Sequence, residues 1–197
     1  PELRRQAVAL AAELGLDPDE IVPAPRAATA DEAGPTAEQR RAAEDMPAAE
    51  REEMIRGMVQ GLAARLERQP DDLEGWRMLA RSWGVLGELE KAADAYAEVA
   101  RRAPDDLGAQ IDYAGALLAL DAADAPPSPE LVTQLQKVLA LDQNNAEALF
   151  HLGRAAAAQG DSSRAVRHWQ RLLAQLPANS PERATLERLL QSLESEG

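Results

Sequence analysis

The sequence predicts an all-α fold, a right-handed α-solenoid of about three helix-turn-helix repeats closed by N- and C-terminal capping helices. Three observations predict it. Trp76, Ala92, Tyr96 and Pro104 recur at the same spacing as Leu149, Ala165, Trp169 and Pro177. Apolar residues elsewhere return every three or four positions, the period of an amphipathic helix rather than a strand. The chain is 45% apolar but only 3% aromatic, so its core must be built of Ala and Leu. Small residues let helix backbones approach closely at little entropic cost.

The recurring spacing is that of the tetratricopeptide repeat (TPR), a unit of about 34 residues that cannot bury its apolar face alone and must stack on neighbours. Residues 1–16 place Leu3, Ala7, Leu10 and Leu14 on one stripe, and Asp17-Pro18 breaks the pattern. From Ile21 to Met46 there is almost no large apolar residue to offset the entropy of ordering, so residues 1–46 read as a short helix followed by a flexible Pro/Ala/acidic linker. Pro47 opens, and Pro70 ends, a helix over 47–69 carrying Met54, Ile55, Met58, Val59, Leu62 and Leu66, an N-terminal cap standing where a second repeat helix would be.

The first repeat, 70–104, carries Trp76, Leu79, Ala80 and Trp83, a turn at Gly87, then Ala92, Ala93, Tyr96 and Val99. The second, 105–143, has Ile111, Tyr113, Ala114 and Leu117 in its first helix and Leu131, Leu135, Val138 and Leu139 in its second. Between them the stretch 121–129 lengthens the turn. Gln143 lies 39 residues after Pro104 where a proline is due, five residues late. Insertions of this kind sit in loops and leave the stack intact. The third repeat, 144–177, is regular, and a closing helix over 180–194 begins with Ser180 as cap and Pro181 in its first turn.

Composition narrows the function. A formal charge of −13 repels nucleic-acid phosphates and favours basic polypeptides, while surplus carboxylates also serve solubility. Without cysteine there is no disulfide, thiolate nucleophile or Cys-bearing metal site. His151 and His168 are 17 positions apart with no carboxylate at ligand spacing, which reads as structural or surface histidine. No nucleophile elbow, phosphate loop or HExxH motif occurs, so no catalytic residue, metal or cofactor is expected. No run of about 18 apolar residues occurs to span a membrane. The chain opens on Pro1 with no signal-peptide pattern, and is expected to be a piece of a longer protein with a targeting or anchoring segment upstream.

Binding is therefore the expected role, in a concave groove lined by the first helix of each repeat. Counting from the signature positions gives Glu74, Arg77, Met78, Arg81 and Val85 in the first repeat, Ile111, Gly115 and Leu118 in the second, and Glu147, Phe150, His151 and Arg154 in the third. The centre is apolar and both ends carry arginines. An amphipathic helix fits such a groove, its acidic groups or C-terminal carboxylate meeting Arg77, Arg81 and Arg154. The competing reading pairs these arginines with Glu74 and Glu147.

The run from Met54 to Tyr96 (MIRGMVQGLAARLERQPDDLEGWRMLARSWGVLGELEKAADAY), the lengthened second repeat and the block LDQNNAEALFHLGRAAAAQGD from Leu141 to Asp161 resemble the periplasmic TPR domain of the CcmI (CycH) family of c-type cytochrome biogenesis proteins. The resemblance covers about residues 50–193. It implies a non-catalytic chaperone in the periplasm, tethered to the inner membrane by segments absent here. Such a chaperone holds apocytochrome c by its C-terminal helix and presents it to the thiol reductant and the haem ligation complex. A general periplasmic scaffold joining protein partners in envelope assembly is the alternative that the repeats alone allow.

Overall fold

The computed structural model describes residues 47–122 and 125–195; the helix and linker expected over residues 1–46 lie outside the described residues. The chain divides into two compact units, 1–52 and 53–197, and the repeats belong to the second. Among the described residues there are eight helices and no strand.

Helix α1 (Ala48–Arg68) follows Pro47, whose carbonyl accepts from Arg51 N at 3.0 Å. Val59 and Leu66, seven apart, are buried, with Ile55 and Leu62 partly buried on the same stripe. Met54 and Met58 fall to the outer side instead; Met58 is 54% exposed. Helix α2 (Leu73–Val85) starts at Asp72, whose carboxylate accepts from Gly75 N at 2.8 Å. Gly75 is required there, since a Cβ would stand 2.6 Å from Leu66 of α1.

The α2–α3 turn closes on Gly87 at φ +73°, the left-handed conformation that ends many helices, and Glu88 N reaches Trp83 O at 3.0 Å. Helix α3 (Leu89–Arg102) folds back with Ala92, Ala93, Ala95 and Val99 buried. Of these, Ala92 and Ala95 join Leu79, Ala80 and Trp83 in the first of three cores.

Helix α4 (Leu107–Leu120) is capped by Asp106 and helix α5 (Pro129–Leu141) by Ser128, with Pro129 in its first turn. The lengthened connection is tied down where it is described. Asp121 accepts from Ser128 N at 2.8 Å, and Arg154 donates to Ala125 O at 2.9 Å. Helix α6 (Ala146–Ala158) is capped by Asn145 and α7 (Ser162–Leu173) by Asp161, with Gly160 at φ +75° between them. Helix α8 (Pro181–Ser195) opens with Ser180 Oγ accepting from Arg183 N at 3.1 Å.

From α2 onward each helix packs on the next in the chain, and the three cores follow one another in sequence order. Contacts restricted to neighbours are what a solenoid requires. The middle core departs from the pattern that the sequence suggested. Gln110 occupies the position of Trp76 and Leu149, and it is 1% exposed, as is Gln134 of α5. Gln110 Nε2 donates to Ala100 O at 2.9 Å and Ala103 O at 3.1 Å, and Gln134 Nε2 donates to Gln110 O and Oε1 at 2.9 and 2.8 Å. A polar pair thus bolts α3, α4 and α5 together.

The three tryptophans are not equivalent. Trp169 is 2% exposed and its indole donates to Phe150 O at 3.1 Å. A Cβ at Gly153 would stand 2.1 Å from its Nε1. Trp83 is also buried, under Lys91 Nζ at 4.6 Å from its ring. Trp76, expected in the core from its register, is instead half-buried, because the first helix pair ends on Pro70 and Arg102, which hold its indole N–H and its ring face. Accordingly Trp169→Ala should cost about 3–5 kcal/mol in urea unfolding, the usual cost of emptying a buried aromatic site. Trp76→Ala should cost about 1–2 kcal/mol, an ordinary surface-to-core value.

Candidate peptide-binding surface

The twelve residues counted from the repeat spacing are not all gathered at one depression. Five of them line two open apolar depressions, Arg81 and Val85 in one and Glu147, Phe150 and His151 in the other. The first, about 470 Å³, lies between α2, α3 and α4, where Arg81 and Val85 meet Tyr96, Ala116 and Ala119. The second, about 530 Å³, lies between α6, α7 and α8, where Glu147, Phe150 and His151 meet Leu172, Leu176 and Leu186.

The counted residues of α4 line neither depression. Ile111 and Leu118 are drawn partly into the middle core, and Gly115 is exposed with nothing within 4 Å of where its Cβ would be. Met78 and Glu74 are exposed on α2 and line neither depression. Val85 is 87% exposed, an aliphatic side chain left at the mouth of the first depression.

Sequence counting missed the other half of each wall. Tyr96 comes from a second helix, where the count did not look, and Ala116 and Ala119 come from the small-residue run of α4. Leu172, Leu176 and Leu186 come from α7, its exit and the closing helix. The Leu186-Leu189-Leu190-Leu193 stripe was a visible signal of apolar surface, but only packing showed that its first leucine floors a depression.

The arginines are mostly committed within the chain. Arg77 pairs with Asp106 at 2.5 Å, and Asp106 is the residue that caps α4. Arg154 reaches the lengthened connection through Ala125 O. Only Arg81 keeps a loose arrangement, pairing at 3.1 Å with Glu74 where both side chains are more than half exposed. Of the two readings of these arginines, the pairing one finds Arg81 on Glu74 as counted, while Arg77 takes Asp106 rather than Glu74. Short acidic partners lay within reach, and a paired arginine at a helix cap is stabilised where it stands.

Titration follows the same geometry. The backbone amide of Ala109 and then the guanidinium of Arg77 hold Asp106 below the usual carboxylate range, against some burial. Burial, then the charge of Asp112, pushes the Tyr96 phenol up, and Arg81 opposes this. The His151 ring meets Phe150 edge-on at 5.2 Å. Burial, then the charge of Arg154, holds His151 below the ordinary 6.5 against Glu147 and Asp121. Burial and then Arg171, Arg167 and Arg164 do the same to His168. No group of three or more His, Asp or Glu that could hold a metal ion occurs among the described residues, and no described helix is long and apolar enough to cross a membrane.

With this geometry in view, the profile described as the cytochrome c-type biogenesis protein H TPR domain matches residues 26–183. The chain belongs to that family. It is 37% identical over 138 residues to the cytochrome c-type biogenesis protein CcmH of Escherichia coli (strain K12), covering 70% of this chain and 38% of that protein. It is 48% identical over 63 residues to the cytochrome c-type biogenesis protein CycH of Rhizobium meliloti (strain 1021), covering 32% of this chain and 16% of the relative. The domain therefore spans well under half the length of these relatives. Among solved structures, a MamA RS-1 double mutant superposes with a TM-score of 0.52 at 16% identity, covering 74% of this chain and 84% of the other. MamA from Desulfovibrio magneticus RS-1 gives 0.50 at the same identity and coverage. At that identity the likeness is one of fold, a TPR-type α-solenoid.

Two outcomes test this account of the surface. Arg77→Glu should lower stability by about 0.5–1 kcal/mol, because a second carboxylate would face the Asp106 cap, whereas Arg81→Glu should stay within about 0.5 kcal/mol. Urea midpoints of the two variants distinguish them. Both histidines bind protons less readily folded than unfolded, so stability should fall as pH drops below about 6.5 and level off below the folded values. Urea midpoints between pH 7.5 and 5.5 should show that slope, and the His151→Gln/His168→Gln protein should lack most of it.

Proposed function

We propose that this domain is a non-catalytic chaperone in cytochrome c maturation. It holds the C-terminal helical segment of an apocytochrome c and presents the polypeptide for haem ligation, alongside the thiol reductant and the haem ligation complex. Membership of the biogenesis family supports the process. The observation that carries the binding mode is the pair of open, apolar depressions, each built from three successive helices and each rimmed by a few polar groups.

An amphipathic helix recognised in this way places one anchor side chain in each depression, with backbone hydrogen bonds already satisfied internally. Val85 and Phe150 then supply apolar contact at the two anchors. Arg81 is the cation with freedom to change partners, since its pair with Glu74 is exposed and worth little. The residues singled out on α4, Ile111, Gly115 and Leu118, lie under the span of the bound helix. Gly115 leaves room for close passage of its backbone. In this reading the contribution to haem attachment is positioning. We place the domain in the periplasm, tethered to the inner membrane through parts of the protein outside this chain.

Calorimetric titration with a synthetic peptide of an apocytochrome c C-terminal helix tests the reading. Micromolar or tighter binding is expected. Val85→Asp should weaken it about tenfold or more, since burial of one aliphatic side chain is worth about 1.5–3 kcal/mol and 1.4 kcal/mol is a factor of ten. Absence of heat with several such peptides would overturn it.

A further inference from the structure

A second docking surface lies on another face of the third repeat, and it has the opposite character to the chain as a whole. Helix α7 carries Arg164, Arg167, His168 and Arg171 at spacings of three and four, one stripe of the helix, and no Asp or Glu between Ser162 and Leu173. A chain with a formal charge of −13 thus gathers three arginines in a single 12-residue helix.

Beside this stripe α5, α6 and α7 enclose a pocket of about 170 Å³, with Val132, Leu139 and Leu152 as its apolar floor and Arg164 and His168 in its wall. That is room for one aliphatic side chain; an apolar cavity of about 150 Å³ holds benzene. Arg164 pairs with the capping Asp161 at 3.2 Å yet keeps half of its side chain in solvent. Arg171 donates to Gln143 O, which ties α7 to the turn before α6. Arg167 is exposed and makes no ion pair among the described residues. The same three arginines that hold the His168 imidazole below its ordinary range, after burial, must project a positive field over the pocket mouth.

We propose that this pocket and the α7 stripe form a docking site for an acidic segment of a partner protein, one aliphatic side chain entering the pocket while flanking Asp or Glu meet Arg164 and Arg167. A lipid surface fits less well. Membrane-bound helices project large apolar residues beside their cations, and none of the exposed large apolar residues lies on α7. The pocket is concave, shaped to admit a side chain rather than to insert one. The site is separate from the two depressions proposed for the cytochrome segment, so both can be filled at once.

The test uses the ¹⁵N-labelled domain with two synthetic helical peptides, one presenting a Leu flanked by Glu and the other the same peptide with Lys for Glu. The Glu peptide should shift resonances of α5, α6 and α7, more weakly as salt rises, while the Lys peptide leaves them unmoved. Arg167→Glu should weaken the Glu peptide about tenfold or more, as loss of a charge-assisted contact worth about 1.5–3 kcal/mol implies. Its circular dichroism should be unchanged, and Arg164→Gln/Arg167→Gln should give the same loss without reversing charge. Equal binding of the Lys peptide, or shifts confined to the Val85 and Phe150 depressions, overturns the proposal. So does binding to phosphatidylglycerol vesicles without binding to the peptide, or self-association of the domain that Arg167→Glu abolishes. Because the readout is at α5 and α7, failure here leaves the calorimetric result for the cytochrome peptide standing, and the reverse also holds.

Discussion

Close approach of helices through small residues is the constraint on which the rest of the structure depends. The Trp169 indole occupies the place where a side chain at 153 would begin. Gly75 is similarly crowded by Leu66. Ala80 and Ala92 in the first pair, and Ala156 and Ala165 in the third, are buried where larger residues would force the helices apart. The low aromatic content follows from this geometry. A stack held at alanine distance has room for few rings, and the most buried of its tryptophans, Trp169, sits where Gly153 faces it. The same closeness shapes the binding surface. Where small residues line outward-facing positions, as at Ala116 and Ala119, helices that touch at the base leave an open depression above.

The middle repeat solves the packing problem differently. Gln110 stands where Trp76 and Leu149 stand in the other repeats, and with Gln134 it bridges three helices by hydrogen bonds to the Ala100, Ala103 and Gln110 backbone carbonyls and between the two side chains. What the amides add is geometry. An apolar core tolerates sliding between helices, but donors aimed at Ala100 O and Ala103 O fix α4 and α5 against the end of α3. This is the repeat with the lengthened connection, where a long loop would otherwise leave the pair free to shift. Asp121, Ser128 and Arg154 reinforce it at the loop itself.

Charge is distributed by the same logic. Most cations are spent in short pairs that hold helix ends, such as Arg77 on the Asp106 cap and Arg183 on Glu187 and the Leu173 and Leu176 carbonyls. Helix α7 stands out against this acidic background, with Arg164 on its capping Asp161, Arg171 on Gln143 O and Arg167 in no ion pair among the described residues. A repeat domain has at least two faces available to partners, and here the first-helix side is apolar while a second-helix stripe is basic.

The sequence by itself determined the fold class and the helix pairs, because these depend on residue spacing, while the runs Met54–Tyr96 and Leu141–Asp161 carried the family resemblance. Trp76, Ala92 and Pro104 with their echoes at Leu149, Ala165 and Pro177 define a period, and Gly87, Gly160 and Ser180 punctuate it with local backbone chemistry that acts over a few residues. Only the tertiary structure decided which groove residues share a depression, because walls come from α3, α7 and α8 as well as from the first helices that the spacing picks out. It also decided that Trp76 is half-buried while Gln110, at the equivalent position, is buried. Register states which side of a helix a residue occupies; how deeply that side is covered depends on what the neighbouring repeat brings against it. The arginines make the same point, since Arg77, open in sequence to a ligand or to Glu74, meets Asp106, a carboxylate that is close only in space.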